Sequence, residues 1–99
     1  MVSNLPLFLD GEFVESKSKK TLEVTNPLSQ EILCHVPCAT KKEIDQAVSS
    51  ASNAFLTWKE TPPPERARLM MAYQSLLKEH QEELAEILSR ENGKTFEDA

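Results

Sequence analysis

The 99-residue sequence predicts an α+β fold, in which two β-hairpins precede two to three amphipathic helices. Two observations predict it. In residues 7–36, short apolar runs with alternating polarity are separated by turn residues, a pattern typical of hairpins. From residue 40 onwards, apolar residues recur every three or four positions, which is the period of an α-helix. We therefore expect hairpins within 7–36 and helices over 40–60 and 64–92.

The first hairpin is centred on Asp10-Gly11. This pair separates the apolar run Leu7–Leu9 from the short strand pattern Glu12–Glu15. A type I′ turn needs positive φ at both of its central residues, and Asp-Gly is among the pairs that adopt it most readily. Ser16–Lys20 then reads as a polar loop.

The second hairpin begins with Thr21–Thr25, where apolar and polar residues alternate. Asn26–Gln30 supplies turn residues, and Glu31–Val36 follows as the partner strand, ending at Pro37. Alternate side chains of a strand share a face, so Cys34 is predicted to lie on an apolar stripe.

The first helix has a clear start and stop. Thr40 and Glu43 form a predicted capping box, in which each residue accepts a hydrogen bond from the backbone of the other. The proline run 62–64 must end the helix, because residues before proline avoid the α region. Its apolar face comprises Ile44, Ala47, Val48, Ala51, Phe55 and Trp58.

The second helical stretch begins at the prolines, with Pro64 suited to a first helical turn. A polar patch, Lys78–Glu83, interrupts its apolar stripe and predicts a bend or break. Gly93 is a natural C-terminal cap. Thr95–Asp98 then resembles another helix start, so we expect 95–99 to begin a further helix of a longer chain. The apolar stripe of this stretch comprises Ala67, Met70, Tyr73, Leu76 and Leu77.

Composition excludes several classes of function. Eleven basic and sixteen acidic residues give a net charge of −5, which argues against a nucleic-acid partner. No apolar run approaches the roughly 20 residues that cross a membrane. Gly11 and Gly93, the two glycines of the chain, lie too far apart to form a phosphate-binding loop. The N-terminus resembles no targeting peptide, which favours the cytoplasm, or the mitochondrial matrix if a presequence has been removed.

Cys34, His35 and Cys38 form the one cluster of metal-ligating residue types. A zinc site needs four ligands, or three and a water molecule, and no second Cys pair or spaced His pair follows. Reduced structural thiols are the favoured interpretation, and metal binding through these three residues remains an open alternative.

The elements occur in a recognisable order. The motifs that carry the resemblance are the hairpin Leu7–Glu15 with Asp10-Gly11, Val24–Pro27, Glu31–Pro37, the helix Ala47–Trp58, Arg66–Arg68, Glu82–Ala85 and Glu91–Lys94. This ordered set resembles the N-terminal region of the aldehyde dehydrogenase superfamily. Within it, residues 7–17 and 36–41 are most similar to the methylmalonate- and malonate-semialdehyde dehydrogenases.

The resemblance implies that residues 1–99 are the N-terminal part of the α/β NAD-binding domain of a longer, NAD-dependent enzyme. In that subfamily a cysteine thiolate attacks the aldehyde, coenzyme A takes the resulting acyl group, and the substrate carboxylate leaves as carbon dioxide. The catalytic and NAD-binding residues would lie beyond residue 99. The resemblance therefore implies no catalytic residue and no bound NAD or coenzyme A in this segment, and a homo-oligomeric full-length enzyme acting on a small semialdehyde.

One minor site can be carried over from the family. The backbone carbonyls of Val24 and Thr25 and the side chain of Glu91 match positions that bind a monovalent cation in several members.

Two alternatives to the leading interpretation stay open: another aldehyde dehydrogenase subfamily, and a stand-alone helical interaction module. Without the rest of an enzyme, the helices should expose an apolar stripe around Ile44, Phe55, Tyr73 and Leu77.

Overall fold

The computed structural model describes residues 3–99. Two antiparallel hairpins are followed by three helices, which confirms the predicted fold class. The elements are β1 (Leu7–Leu9), β2 (Glu12–Val14), β3 (Thr21–Thr25), β4 (Ile32–Pro37), α1 (Lys41–Trp58), α2 (Pro63–Glu79) and α3 (Gln81–Asn92).

The β1–β2 hairpin turns at Asp10-Gly11 as predicted. Asp10 has φ 52° and Gly11 has φ 80°, the positive values that a type I′ turn requires at both positions. Phe8 pairs with Phe13 across the hairpin, and their ring centroids are 4.9 Å apart. Both rings remain exposed to solvent.

The β3–β4 hairpin turns through Asn26–Gln30. The Asn26 side chain accepts a hydrogen bond from the Leu28 amide at 2.9 Å, and the Asn26 amide donates to the Glu31 carbonyl at 2.8 Å. Val24 pairs with Cys34, but the register then shifts, so Thr25 pairs with Ile32. The shift locally twists the strand where it enters the turn.

Helix α1 begins at the predicted capping box. The Thr40 hydroxyl accepts from the Glu43 amide at 3.2 Å, and the Glu43 carboxylate accepts from the Thr40 amide at 2.8 Å. These two bonds satisfy donors that a helix start would otherwise leave without partners.

Arg66 closes the corner between α1 and α2. Its guanidinium donates to the carbonyls of Thr61 at 2.8 Å, Lys59 at 3.0 Å and Trp58 at 3.3 Å, and it lies over the Trp58 ring at 5.5 Å. The carbonyls at the end of α1 and just beyond it thereby gain hydrogen bonds from a side chain of α2.

His80 divides the predicted helix 64–92 into α2 and α3. Its backbone leaves the helical region, with φ −101° and ψ 18°, inside the polar patch where a bend or break was expected. Helix α3 ends at Gly93 in the left-handed conformation, as predicted for its cap. Beyond it, Ala99 N donates to the Thr95 carbonyl at 3.0 Å, forming a single turn over residues 95–99.

The elements form an open layer without a shared core. The radius of gyration is 17.2 Å, whereas a compact domain of this length has about 13 Å. The thinnest dimension is 16 Å, little more than one helix with its side chains. Within residues 3–99, only Ala85 is buried, and Ile44, Phe55, Tyr73 and Leu77 are exposed as expected. No helix in this range is both long and apolar enough to cross a membrane.

Candidate functional site

A cavity of about 220 Å³ lies between the second hairpin and the end of α3. It contains two of the three residues that the resemblance assigns to a cation site, Val24 and Glu91. The cavity is lined by Leu5, Val24, Leu33, Cys34, Ile87, Arg90 and Glu91.

Gly93 and Pro27 bring the two sides of this cavity together. A Cβ atom placed on Gly93 would lie 3.0 Å from Cγ of Pro27, so the end of α3 rests directly on the Asn26-Pro27 turn. The Ser89 hydroxyl also donates to the Lys94 carbonyl at 2.6 Å, which fixes the chain that leaves the helix. Glu91 is held beside Val24 by this local geometry rather than by a tertiary core.

Thr25 is not part of the cavity wall. It lies next to Val24 at the register shift of β3, half-buried, and pairs with Ile32. The structure therefore brings Val24 and Glu91 into one cavity and leaves Thr25 adjacent to it.

The cavity walls supply only part of a cation's ligand set. Hard cations are held by several oxygen atoms. Most of the lining side chains are apolar, Glu91 contributes the one carboxylate, and Arg90 places a positive charge in the same wall. These residues alone do not make a complete cation site, so the site stays a prediction.

Cys34, His35 and Cys38 do not converge on one point. Successive side chains of strand β4 point to opposite faces, so Cys34 lines the cavity while His35 faces Glu23, 4.0 Å away across the hairpin. Both cysteines are free thiols. Among residues 3–99, no three His, Cys, Asp or Glu side chains are close enough together to hold a metal ion. The geometry gives the metal alternative no support.

Glu43 has the most perturbed carboxyl group of the described chain. Its pKa is lowered from 4.5 to about 2, chiefly by the hydrogen bond from the Thr40 amide, then by those from the Lys17 amide and the Ser16 hydroxyl. Ser16 and Lys17 belong to the loop between the hairpins, and they donate at 2.7 and 2.9 Å. Glu43 is therefore an ionised tether between this loop and α1, with no acid–base function.

Four residues of the cavity wall were not among the candidates from sequence, namely Leu5, Leu33, Ile87 and Arg90. Arg90 lies in the last turn of α3, where a basic residue is favoured by the helix dipole, and that position was a usable signal. Leu5 precedes the first strand in sequence and reaches the cavity because its amide donates to the His35 carbonyl of β4 at 2.9 Å. No local sequence pattern predicts that long-range hydrogen bond.

The two glycines are both committed to local structure, one in the hairpin turn and one in the helix cap. Neither belongs to a glycine-rich sequence of the kind that cradles a phosphate group. The cavity lies where the end of α3 contacts the Asn26-Pro27 turn of the second hairpin.

Comparison with known proteins identifies the class. The sequence model described as the aldehyde dehydrogenase family matches residues 13–99, and the chain belongs to that family. Among curated relatives, the malonate-semialdehyde dehydrogenase of Halalkalibacterium halodurans is 50% identical over 93% of this chain. Malonate-semialdehyde dehydrogenase 1 of Geobacillus kaustophilus is 48% identical over 93% of it.

A solved structure shows the same backbone. The Sinorhizobium meliloti 1021 protein assigned as a methylmalonate-semialdehyde dehydrogenase, in complex with NAD, matches 99% of this chain at 39% identity with a TM-score of 0.93. Lactaldehyde dehydrogenase of Escherichia coli has a TM-score of 0.91 at 23% identity, a similarity of fold alone. This chain spans 19% of each of the two curated relatives and 20% of the S. meliloti chain.

Proposed function

We propose that the complete protein is an NAD-dependent, coenzyme A-acylating malonate- or methylmalonate-semialdehyde dehydrogenase, and that this segment is a non-catalytic outer part of its NAD-binding domain. The observation that carries the proposal is the 48–50% identity to malonate-semialdehyde dehydrogenases over 93% of the chain. The fold supports the family but does not choose the substrate, because enzymes named for lactaldehyde and betaine aldehyde share it.

The proposed reaction is balanced with malonate semialdehyde as substrate. The aldehyde carbon loses a hydride to NAD⁺, and its acyl group passes to the sulfur of coenzyme A, whose thiol gives up a proton. The carboxylate leaves as carbon dioxide, and the carbon that carried it takes up one proton in its place. The products are acetyl-coenzyme A, carbon dioxide and NADH. Every reacting group comes from outside this segment, whose contribution is to complete the domain that binds NAD.

The test is an assay of the complete protein with NAD⁺ and coenzyme A. Malonate and methylmalonate semialdehydes are compared with betaine aldehyde and lactaldehyde, following NADH by absorbance and the acyl-coenzyme A product by mass spectrometry. We expect turnover of the semialdehydes with formation of acetyl- or propionyl-coenzyme A. Preference for another aldehyde, or a free acid as product, would move the protein to a different subfamily.

The proposed enzyme is cytoplasmic and homo-oligomeric.

The cation site stays a prediction of the same proposal. The Val24 and Thr25 carbonyls and the Glu91 carboxylate would supply part of the ligand set, and the rest of the enzyme would complete it. Glu91→Gln should abolish any difference in thermal stability of the complete protein between potassium and large organic cations. Glu82→Gln, on the exposed first turn of α3, is the matched control. A cation effect that survives in Glu91→Gln would exclude this site.

A further inference from the structure

Each of the two glycines follows a residue whose side chain can react with the peptide backbone. Gly93 follows Asn92, and Gly11 follows Asp10. The amide nitrogen that follows an asparagine can attack the carbonyl carbon of the asparagine side chain, and a glycine, which has no Cβ, hinders this approach least. Asparagine is accordingly one of the thermolabile residue types of proteins. By sequence, Asn92-Gly93 is the most reactive asparagine position of the chain.

The other asparagines lie where the same reaction is disfavoured. Asn26 precedes a proline, which has no N–H proton to lose. The amide that follows Asn4 donates to the carbonyl of His35 at 2.9 Å. Asn53 lies within α1, where the amide that follows it belongs to the hydrogen-bond ladder of the helix. Asn92 differs from all three, because it is exposed, ends a helix and precedes a glycine.

Ser89 holds the chain around Asn92 through two hydrogen bonds. Its carbonyl accepts from the Gly93 amide at 2.9 Å, and its hydroxyl donates to the Lys94 carbonyl at 2.6 Å. While these bonds persist, the Gly93 nitrogen is part of the helix cap. Attack on Asn92 therefore requires the last turn of α3 to open, and helix ends open more readily than a protein unfolds as a whole.

We propose that Asn92 is a site of spontaneous deamidation, and that Ser89 limits its rate by keeping the last turn of α3 closed. When the turn opens, the Gly93 nitrogen loses its proton and bonds to Cγ of Asn92, and the Cγ–Nδ2 bond breaks as ammonia leaves. Water then opens the cyclic imide at either of its two carbonyls, which leaves aspartate or isoaspartate at position 92. Nothing is oxidised or reduced, and water is the co-reactant. The reaction does not depend on the proposed function.

Both products disturb the contact between α3 and the turn before β4. A carboxylate at position 92 adds a negative charge beside Glu91 at the C-terminal end of the helix, where the helix dipole disfavours it. Isoaspartate also lengthens the backbone by one carbon next to Gly93, where even a Cβ atom would lie 3.0 Å from Cγ of Pro27. Because Glu91 and Val24 line one cavity, deamidation should rearrange its wall.

Asp10-Gly11 is an internal comparison. The same attack on an aspartate must expel an oxygen rather than ammonia, and a carboxylate is a poorer electrophile than an amide. The Asp10 carboxylate also accepts a hydrogen bond from the Ser50 hydroxyl at 2.9 Å, which holds it against α1. Isoaspartate should therefore form at Asp10 more slowly than at Asn92.

The test follows the complete protein during storage in neutral buffer. Peptide mapping by mass spectrometry locates deamidation, and an isoaspartyl methyltransferase assay of the same peptides detects isoaspartate. We expect deamidation at Asn92 while the other asparagines remain intact, at a rate below that of a synthetic peptide of residues 89–98. An intact Asn92, equal deamidation of all asparagines, or a rate as high as that of the free peptide would each overturn the proposal.

Matched variants test the role of Ser89. Ser89→Ala removes the hydrogen bond to Lys94 and should accelerate deamidation about two- to fivefold, since the lost bond outweighs the higher helix propensity of alanine. Ser49→Ala, at an exposed position of α1, is the control and should leave the rate unchanged. An unchanged or lower rate in Ser89→Ala, or equal acceleration in both variants, would contradict the role of Ser89.

Asn92→Asp supplies one product directly. It should lower the protection of the last turn of α3 against amide hydrogen exchange about two- to fivefold, as expected for a negative charge at a helix C-terminus. Exchange in α1 should remain as in the parent, which shows that the chain stays folded. Unchanged protection in α3 would contradict the predicted effect of deamidation on this contact.

Discussion

At the scale of single residues, Gly93 meets two requirements at once. Its φ of 82° is in the left-handed region, where a side chain costs about 1–2 kcal/mol, and a Cβ atom placed on it would lie 3.0 Å from Cγ of Pro27. Gly11 has a similar φ of 80°, but a Cβ there would have no heavy atom within 4 Å. A comparison of the two glycines therefore separates the energetic cost of backbone strain from the cost of a steric clash.

We expect Gly93→Ala to destabilise the junction of α3 and the Asn26-Pro27 turn more than Gly11→Ala destabilises the first hairpin. Gly11→Ala should cost about 1–2 kcal/mol from the left-handed backbone alone. Gly93→Ala should add the displacement of Pro27. Amide hydrogen exchange of α3 and of the hairpin in each variant measures the two effects, and equal losses would show that the Pro27 contact is unimportant.

Glu43 predicts a pH dependence at the residue scale. Its pKa falls from 4.5 to about 2 on folding, so the folded state binds fewer protons than the unfolded state between these values. The stabilisation is fully present above about 4.5 and is lost as the pH falls towards 2. Glu43→Gln should flatten the dependence of the thermal midpoint on pH in that window. Glu79→Gln, at an exposed position of α2, should leave the dependence unchanged.

At the scale of elements, the corner between α1 and α2 depends on one side chain. Arg66→Ala removes three hydrogen bonds to carbonyl groups and the contact with the ring of Trp58, the single tryptophan. We expect a loss of about 2 kcal/mol, as for hydrogen bonds from charged donors, and a shift in tryptophan fluorescence. Arg66→Lys should recover little, because an ammonium group lacks the planar fork. Arg68→Ala is the control, and an equal shift there would contradict the cap.

The elements also show how far sequence reasoning reaches. The Asp10-Gly11 turn, the Thr40–Glu43 capping box and the Gly93 cap are written in a few adjacent residues, and each forms as predicted. The polar side of α1 that contacts the first hairpin was not predictable, because its half-buried position at Ser50 depends on Asp10, forty residues away.

The candidate site divides in the same way. The resemblance indicated Val24 and Glu91, which share a cavity. Arg90 was signalled only by its position in the last turn of α3, whereas Leu5 enters the cavity through a long-range hydrogen bond that no local motif records. Periodicity identified the apolar sides of the helices, but it could not tell that these sides stay exposed within residues 3–99.

At the scale of the whole molecule, we propose that catalysis depends on residues outside this layer. We expect residues 1–99 alone to produce no NADH from any semialdehyde in the presence of NAD⁺ and coenzyme A. The described residues hold no glycine-rich loop for a dinucleotide, and by the resemblance the catalytic cysteine is a residue other than Cys34. Turnover by the purified chain, absent from a mock purification, would contradict both this expectation and the proposed function.

The near-absence of buried side chains in residues 3–99 has a consequence for the synthesis of the proposed enzyme. In the proposed enzyme the roughly four hundred residues outside this segment need about 20–80 s for their synthesis at ordinary elongation rates. Throughout that interval Phe55, Tyr73 and their neighbours have only solvent or a chaperone to contact. We therefore expect newly made enzyme to depend on chaperones most strongly until these side chains are covered. We expect the finished protein not to depend on chaperones.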